Sequence, residues 1–86
     1  MSKRSLLETY GDILESMRSG SLRPTHIMYK ANLDWTVMQH RLKELRNRNL
    51  IEIVPSPSGN YTVKLTPKGI AWSQKYREVR EAAGLA

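Results

Sequence analysis

Apolar side chains recur at helical spacing in four segments of the chain and alternate with polar ones in two shorter segments. The first segment predicts a helix over about residues 5–18, because Ser5 precedes it with a glutamate three residues later in a capping-box pattern. Gly20 and Pro24 break the chain after it, since glycine permits positive φ and proline pushes the preceding residue out of the α region. Residues 21–23 are a candidate short strand.

Two further helices are predicted in quick succession. Thr25 is suited to cap a helix over about residues 25–31, which Asn32 can end in the left-handed conformation. Asp34 can then cap a third helix over about residues 35–48. The apolar residues of this third helix fall within about 80° of one another on a helical wheel: Trp35, Met38, Leu42 and Leu45. This stripe predicts the face that the helix buries.

The opposite side of the third helix is polar. Four of its residues fall within about 60° of one another and point away from the stripe: Thr36, His40, Lys43 and Asn47. Gln39 and Arg46 flank this row at one margin, and Arg41 and Arg48 flank it at the other. Asn49 is expected to end the helix in the left-handed conformation. The helix therefore presents a polar, basic surface away from its own core.

The last third of the chain predicts a hairpin and a final helix. Alternating apolar and polar residues predict two strands over about residues 51–65, joined by a proline- and serine-rich loop at 55–60. Thr66 as cap and Pro67 at the first helical position begin a helix over about residues 67–83. An apolar stripe follows that helix: Trp72, Tyr76, Val79 and Ala83.

The order of these elements defines the fold class as α+β and mostly helical. Two short helices joined by a tight turn and followed by a hairpin are the winged variant of the helix-turn-helix. In that arrangement the second helix of the pair enters the major groove of DNA, and the hairpin is the wing. The last predicted helix is then a C-terminal addition to the motif. A chain of 86 residues is sufficient for a single domain of this kind, over residues 1–86.

The charge of the chain favours a polyanionic partner. Fourteen Lys and Arg against eight Asp and Glu give a net charge of +6. Residues 18–48 carry seven basic and two acidic side chains, a local balance of +5. Double-stranded DNA is therefore the first candidate partner, and an ordinary solvated face is the alternative.

Several other classes of protein are not expected. The chain has no cysteine, and its two histidines have no clustered carboxylates, so neither a metal site nor another cofactor is predicted. No nucleophile and base pair and no glycine-rich phosphate loop is evident, so we expect no enzyme and no small-molecule ligand. No apolar run approaches the length of a membrane span, and the expected location is the cytoplasm, in association with the nucleoid.

Several motifs together resemble a known family. These are "HIMYKANLDW" at residues 26–35, the spacing of Leu42 and Leu45, "LIEI" at 50–53 and "YTVKLTPKGIAW" at 61–72. They are similar to the small winged helix-turn-helix domains common in archaea, which include transcription regulators and small dimeric chromatin proteins. The resemblance covers about residues 5–80. It implies DNA binding through the third helix, and often a homodimer formed through the terminal helices.

The chain departs from that family's pattern at three places. Asn49 stands where the pattern prefers glycine, a small change because Asn tolerates the left-handed region. Arg41 stands where an apolar or aromatic residue is usual, so the groove beside it is expected to be more solvated. The wing tip, residues 55–60, has no Lys or Arg, which weakens the usual picture of a basic wing in the minor groove.

The predicted site is an interface with DNA. Side chains in the first half of the third helix approach base edges and carry the donors and acceptors to read them: Thr36, Gln39, His40 and Lys43. The remaining cations, with one asparagine, suit phosphate contacts: Arg23, Lys30, Arg41, Arg46, Asn47, Arg48 and Lys64.

Three aromatic positions leave alternatives open. Trp35 is expected to pack in the core rather than to stack on a base. Trp72 and Tyr76 either cover the hairpin and first helix or form a homodimer interface. The candidate dimer interface consists of Tyr10, Trp72, Tyr76 and Val79. The first functional hypothesis is a transcription regulator that binds double-stranded DNA, and the second is a winged-helix module that binds another protein.

Overall fold

The computed structural model describes residues 4–84, and residues 1–3 and 85–86 of the predicted domain lie outside that range. The described residues form four helices and one antiparallel hairpin. In chain order these are α1 (Leu6–Ser16), α2 (Pro24–Ala31), α3 (Trp35–Asn47), β1 (Ile51–Pro55), β2 (Tyr61–Leu65) and α4 (Pro67–Ala82). The predicted fold class is confirmed as a mostly helical α+β winged helix-turn-helix with a C-terminal helix. Helix α1 ends two residues earlier than predicted, with Met17 as its C-cap.

The predicted helix starts are correct at three of four positions. At each of these three, a side-chain oxygen accepts a hydrogen bond from the backbone N–H three residues ahead: Ser5, Asp34 and Thr66. The prediction that Thr25 caps α2 is wrong. Helix α2 begins one residue earlier, at Pro24, because the fixed φ of proline suits the first helical position. Arg23 therefore occupies the N-cap position, without a side-chain capping bond.

A single β-bridge joins the wing to the segment before α2. β1 pairs with β2 in the antiparallel register Ile51↔Leu65 to Pro55↔Tyr61. Leu22 forms an isolated bridge with Val63, in which each backbone N–H donates to the other residue's carbonyl, at 2.9 and 2.8 Å. The candidate strand at residues 21–23 is therefore present as a single bridge. It fixes the position of the wing relative to the helix pair.

Helices α1, α2 and α3 and the hairpin enclose one apolar core. Its fully buried members come from all four of these elements and from the residue after α1: Ile13, Leu14, Met17, Ile27, Met38, Leu45, Ile51 and Val63. Helix α4 begins close to the turn between α3 and β1, and Gly69 allows this, since a Cβ there would collide with the Leu50 carbonyl oxygen. The core therefore holds α3 and the wing in a fixed relation.

Candidate nucleic-acid interface

The polar row on α3 lies on the surface, as the helical spacing predicts. Its four members are exposed: Thr36, His40, Lys43 and Asn47. Met38, Leu42 and Leu45 on the other side of the helix are buried in the core. Because three buried side chains anchor the helix over two turns, the row is presented on a rigid support.

A groove separates α3 from the wing. Its volume is about 330 Å³. Polar residues of α3 and the apolar faces of the hairpin line it, together with Leu42: Gln39, Lys43, Arg46, Asn47, Ile53 and Tyr61. Two predicted base contacts and two predicted phosphate contacts therefore border one channel, which the helical wheel alone could not show because it does not locate the hairpin.

Four cations on the helix pair have no partner within the described residues. The side chains of Arg23, Lys30, Lys43 and Arg46 make no hydrogen bond or ion pair to residues 4–84. Carboxylates of α1, in contrast, pair with three arginines: Asp12 with Arg4 at 2.9 Å, and Glu15 with both Arg77 and Arg18, at 3.3 and 3.7 Å. Among the described residues, most of the uncompensated cations therefore lie on α2 and α3 or directly before α2, and Lys75 lies on α4.

Two predicted phosphate contacts are paired with carboxylates of the chain. Nζ of Lys64 lies 3.0 Å from Glu52 on the wing, where both side chains are half exposed, so DNA could replace this weak pair. Arg41 is half-buried, and its guanidinium donates a 2.6 Å hydrogen bond to Glu44. The structure thus argues against Arg41 as a phosphate contact. The solvated groove expected beside it is occupied by this ion pair.

Glu44 ties α3 to α1. Its Oε1 accepts hydrogen bonds from Arg41 and from the Tyr10 hydroxyl, the latter at 3.0 Å. The hydrogen bond from Arg41 holds the pKa of Glu44 below its usual value, and the bond from Tyr10 and the charge of Arg48 act in the same direction. The guanidinium carbon of Arg48 also lies 6.0 Å from the centre of the Tyr10 ring. The Arg48 side chain is otherwise exposed to solvent.

The predicted dimer residues separate into the buried Tyr10 and three members of a surface patch, of which Trp72 and Tyr76 are half-buried and Val79 is exposed. Tyr10 is only 7% exposed and belongs to the core, so its assignment to an interface is corrected. Trp72, Tyr76 and Val79 lie along one side of α4, as the stripe predicts. The residues of α4 that are fully buried, however, are Gly69 and Ser73. The apolar patch on α1 and α4 surrounds a hollow of about 250 Å³ and consists of Leu7, Trp72, Tyr76 and Val79, with Lys75 at its edge.

Aromatic stacking organises this apolar patch. The rings of Trp72 and Tyr76 are stacked with centroids 5.5 Å apart. Tyr76 lies directly over Gly11 of α1, where a Cβ would collide with the ring. Burial raises the pKa of the Tyr76 hydroxyl, and the nearby charge of Asp12 raises it further. Leu7, which the sequence did not assign to this surface, is 57% exposed because it lies on the side of α1 that faces away from the core.

The prediction that Trp35 packs in the core is wrong. Trp35 is 41% exposed, although it shares a helical stripe with the buried Met38, Leu42 and Leu45. It stands in the first turn of α3, at the margin of that stripe.

No helix within residues 4–84 has the length and apolar character needed to cross a membrane. Residues 4–84 also hold no group of three His, Asp or Glu that could bind a metal ion.

Solved structures of similar fold include regulators and DNA-binding proteins. Sso10a-2, a DNA-binding protein from Sulfolobus solfataricus, superposes with a TM-score of 0.79 at 22% identity, over 93% of this chain and 85% of that one. MepR, a transcription regulator from Staphylococcus aureus, gives 0.79 at 15% identity, over 88% and 58%. MarR from E. coli gives 0.72 at 28% identity, over 77% and 51%. The chain thus has the winged-helix fold that these proteins share.

Sequence comparison leads to the same family. An uncharacterised protein of the archaeon Methanocaldococcus jannaschii is 35% identical over 77 residues, which are 90% of this chain. The chain spans only 34% of the length of that relative. The family model described as winged helix-turn-helix matches residues 3–84, nearly the whole sequence. The chain therefore belongs to the winged helix-turn-helix family.

Proposed function

We propose that this protein is a transcription regulator that binds double-stranded DNA and inserts α3 into the major groove. The observation that carries the proposal is the group of unpaired cations on α2 and α3 beside the exposed polar row. Cations without intramolecular partners are available to replace the counterions of the phosphate backbone, and this exchange supplies much of the affinity for DNA. Such a protein would act in the cytoplasm, in association with the nucleoid.

The exposed side chains of this surface divide into two roles. Four exposed residues between positions 36 and 43 of α3 reach base edges: Thr36, Gln39, His40 and Lys43. Gln can form paired hydrogen bonds with adenine, and Lys can donate to the acceptors of guanine. The surrounding residues hold the phosphates: Arg23, Lys30, Arg46, Asn47, Arg48 and, after release from Glu52, Lys64. One DNA strand would then follow the groove between α3 and the wing.

We also propose that the protein acts as a homodimer through the apolar patch. Val79 and Leu7 are 67% and 57% exposed, and large side chains left in solvent at one place on a surface indicate a partner. A two-fold axis through the patch would pair it with the same residues of the second copy. Two α3 helices about 34 Å apart would then require a near-palindromic site. The DNA-binding protein Sso10a-2 and the regulator MepR share the fold, which supports the proposed role in DNA binding and regulation.

Titration of the protein against random duplex DNA at two salt concentrations tests the proposal. Binding should weaken steeply as salt rises, since each phosphate contact contributes about −0.9 to the slope of log affinity against log salt. The double variant Lys43→Glu, Arg46→Glu should lose binding while its melting temperature is unchanged, because both side chains are exposed and lie off the buried stripe. Absence of binding by the unaltered protein at low salt would contradict the proposal.

A matched variant separates the local effect from that of net charge. Gln74→Glu changes the charge of an exposed α4 side chain that lies outside both the α3 surface and the apolar patch. Its affinity for duplex DNA should stay close to that of the unaltered protein, whereas Lys43→Gln, which lowers the net charge by the same single unit, should weaken binding. An equal loss in both variants would show that overall charge, not the α3 surface, controls binding.

A second function is favoured by the composition of the wing tip. Residues 55–60 carry no Lys or Arg, so the hairpin has no basic end to enter a minor groove. A winged-helix module that binds another protein would need no such end. The same titration distinguishes the two functions, because a protein-binding module has no reason to bind random duplex at low salt.

A further inference from the structure

Trp35 lines a second cavity beside the α3–wing groove. This cavity, called here the Trp35 slot, has a volume of about 400 Å³ and lies between the start of α2, the first turn of α3 and the start of β2. Its walls include two aromatic rings and three polar side chains: Trp35, Tyr61, Arg23, Gln39 and Asn60. Gln39 and Tyr61 also line the α3–wing groove, so the two cavities are adjacent.

The chemistry of the Trp35 slot suits a ligand with an apolar face and a negative charge. No Asp or Glu lines the slot, and the Arg23 guanidinium has no partner within residues 4–84. Trp35 keeps 41% of its surface exposed on a face that is otherwise polar. An exposed indole beside an unpaired guanidinium is therefore complementary to a group that joins an apolar ring to a phosphate.

The position of the slot on α3 selects the part of DNA that it can reach. On the helical wheel Trp35 lies about 110° from the centre of the exposed row. If the row faces base edges, a residue this far round the helix faces the sugar–phosphate backbone at the side of the groove. Arg46 and Gln39 lie between the two positions on the same flank, within about 40° of Trp35.

We propose that the Trp35 slot holds one deoxyribose and its adjoining phosphate from a strand of the bound duplex. The inference rests on the proposed function and adds a contact to it. Trp35 and Tyr61 pack against the apolar face of the sugar, and Arg23 binds the phosphate. This contact fixes the register of α3 in the groove and is independent of the base sequence.

Salt dependence separates the two halves of the slot. Arg23→Ala should reduce the magnitude of the log–log salt slope by about 0.9, the contribution of one phosphate. Trp35→Ala should weaken duplex binding about tenfold at every salt concentration and leave the slope unchanged, as expected from losing roughly 60 Å² of apolar contact. Trp35→Phe should restore most of the affinity. Ile70→Ala, which removes a similarly exposed apolar side chain from α4, should bind like the unaltered protein.

Fluorescence gives a test that requires no truncated variant. Addition of duplex DNA should change the tryptophan emission of the unaltered protein, and the Trp35→Phe variant should lose this change although Trp72 remains. If Trp35→Ala binds DNA with unchanged affinity while Lys43→Glu, Arg46→Glu does not bind, the slot is empty in the complex and only this inference fails. If the unaltered protein does not bind duplex DNA at all, the proposed function fails with it.

Discussion

Asn49 turns the chain from α3 into the wing within a single residue. It adopts a left-handed conformation with φ of 62°. Its N–H donates to the Arg46 carbonyl and the N–H of Leu50 donates to the Leu45 carbonyl, both at 3.0 Å, which satisfies two carbonyls at the helix end. The Asn49 carbonyl accepts a 2.7 Å hydrogen bond from the Thr66 hydroxyl, which also caps α4. One backbone conformation thus connects three elements.

Replacement of Asn49 by Ala should lower the free energy of unfolding by about 1 kcal/mol, because a Cβ without a compensating polar group disfavours positive φ. Asn49→Gly is the matched control and should stay within about 0.5 kcal/mol of the unaltered protein, since glycine adopts this conformation freely. Urea unfolding of the three proteins gives both differences. Equal stability of the Ala and Gly variants would show that the backbone at this position relaxes to another conformation.

Residue identity predicted the local geometry better than it predicted burial. Asn32 and Asn49 were correctly expected in the left-handed region, because that preference belongs to the side chain itself. Trp35 and Tyr10 were assigned to the wrong environments. A helical wheel gives the side of the helix on which a residue lies, but whether another element covers that turn depends on tertiary packing.

At the scale of elements, α3 is held by one side chain as well as by the core. Its carboxylate, that of Glu44, accepts one hydrogen bond from the Tyr10 hydroxyl of α1 and one from the Arg41 guanidinium of α3. The carboxylate is the form that accepts both bonds, which is why its pKa is lowered. The strength of this polar link between α1 and α3 therefore depends on the ionisation of Glu44.

This dependence predicts that stability falls as acid protonates Glu44. A carboxyl group whose pKa is lower in the folded than in the unfolded protein stabilises the fold above its unfolded pKa, and this contribution is lost as the pH falls through the folded pKa. The Glu44→Gln variant should therefore be less stable than the unaltered protein at neutral pH. The difference between their melting temperatures should shrink when the pH is lowered through the acidic range.

A second variant controls for the removal of any carboxylate. Glu52→Gln breaks the pair with Lys64, in which both side chains are half exposed, so it should change the melting temperature little at any pH. A difference between the unaltered protein and Glu44→Gln that stays constant from neutral to acidic pH would contradict the role assigned to this ionisation.

The elements themselves were largely predictable, and their contacts were not. The exposed row on α3 followed from helical spacing, and the hairpin followed from alternation in the sequence. The α3–wing groove and the Trp35 slot require the position of the hairpin relative to the helices, which periodicity does not contain. Similarly, Tyr10 and Glu44 are 34 residues apart, and no local pattern pairs them.

At the scale of the whole molecule, charge and apolar surface are separated. Ion pairs with carboxylates of α1 compensate Arg4, Arg18 and Arg77, while Lys30 of α2 and Lys43 and Arg46 of α3 are left without partners among the described residues. The apolar patch lies on α1 and α4 as well. A second copy bound there would leave the basic surface of each subunit free for DNA, so the two proposed interfaces are compatible.

Val79 is the most direct test of the homodimer, because it is 67% exposed and contributes little to the fold of one subunit. Val79→Glu should convert the dimer to a monomer, as measured by sedimentation equilibrium, with little change in helix content. Gln74→Glu adds the same charge to an exposed position of α4 outside the patch and should remain dimeric.

A monomeric subunit holds only one α3 helix and loses the contacts of the second half-site, so its affinity for a palindromic site should fall more steeply than its affinity for random duplex. If the unaltered protein is itself monomeric at concentrations that saturate DNA, the patch serves another partner and a palindromic target is not expected.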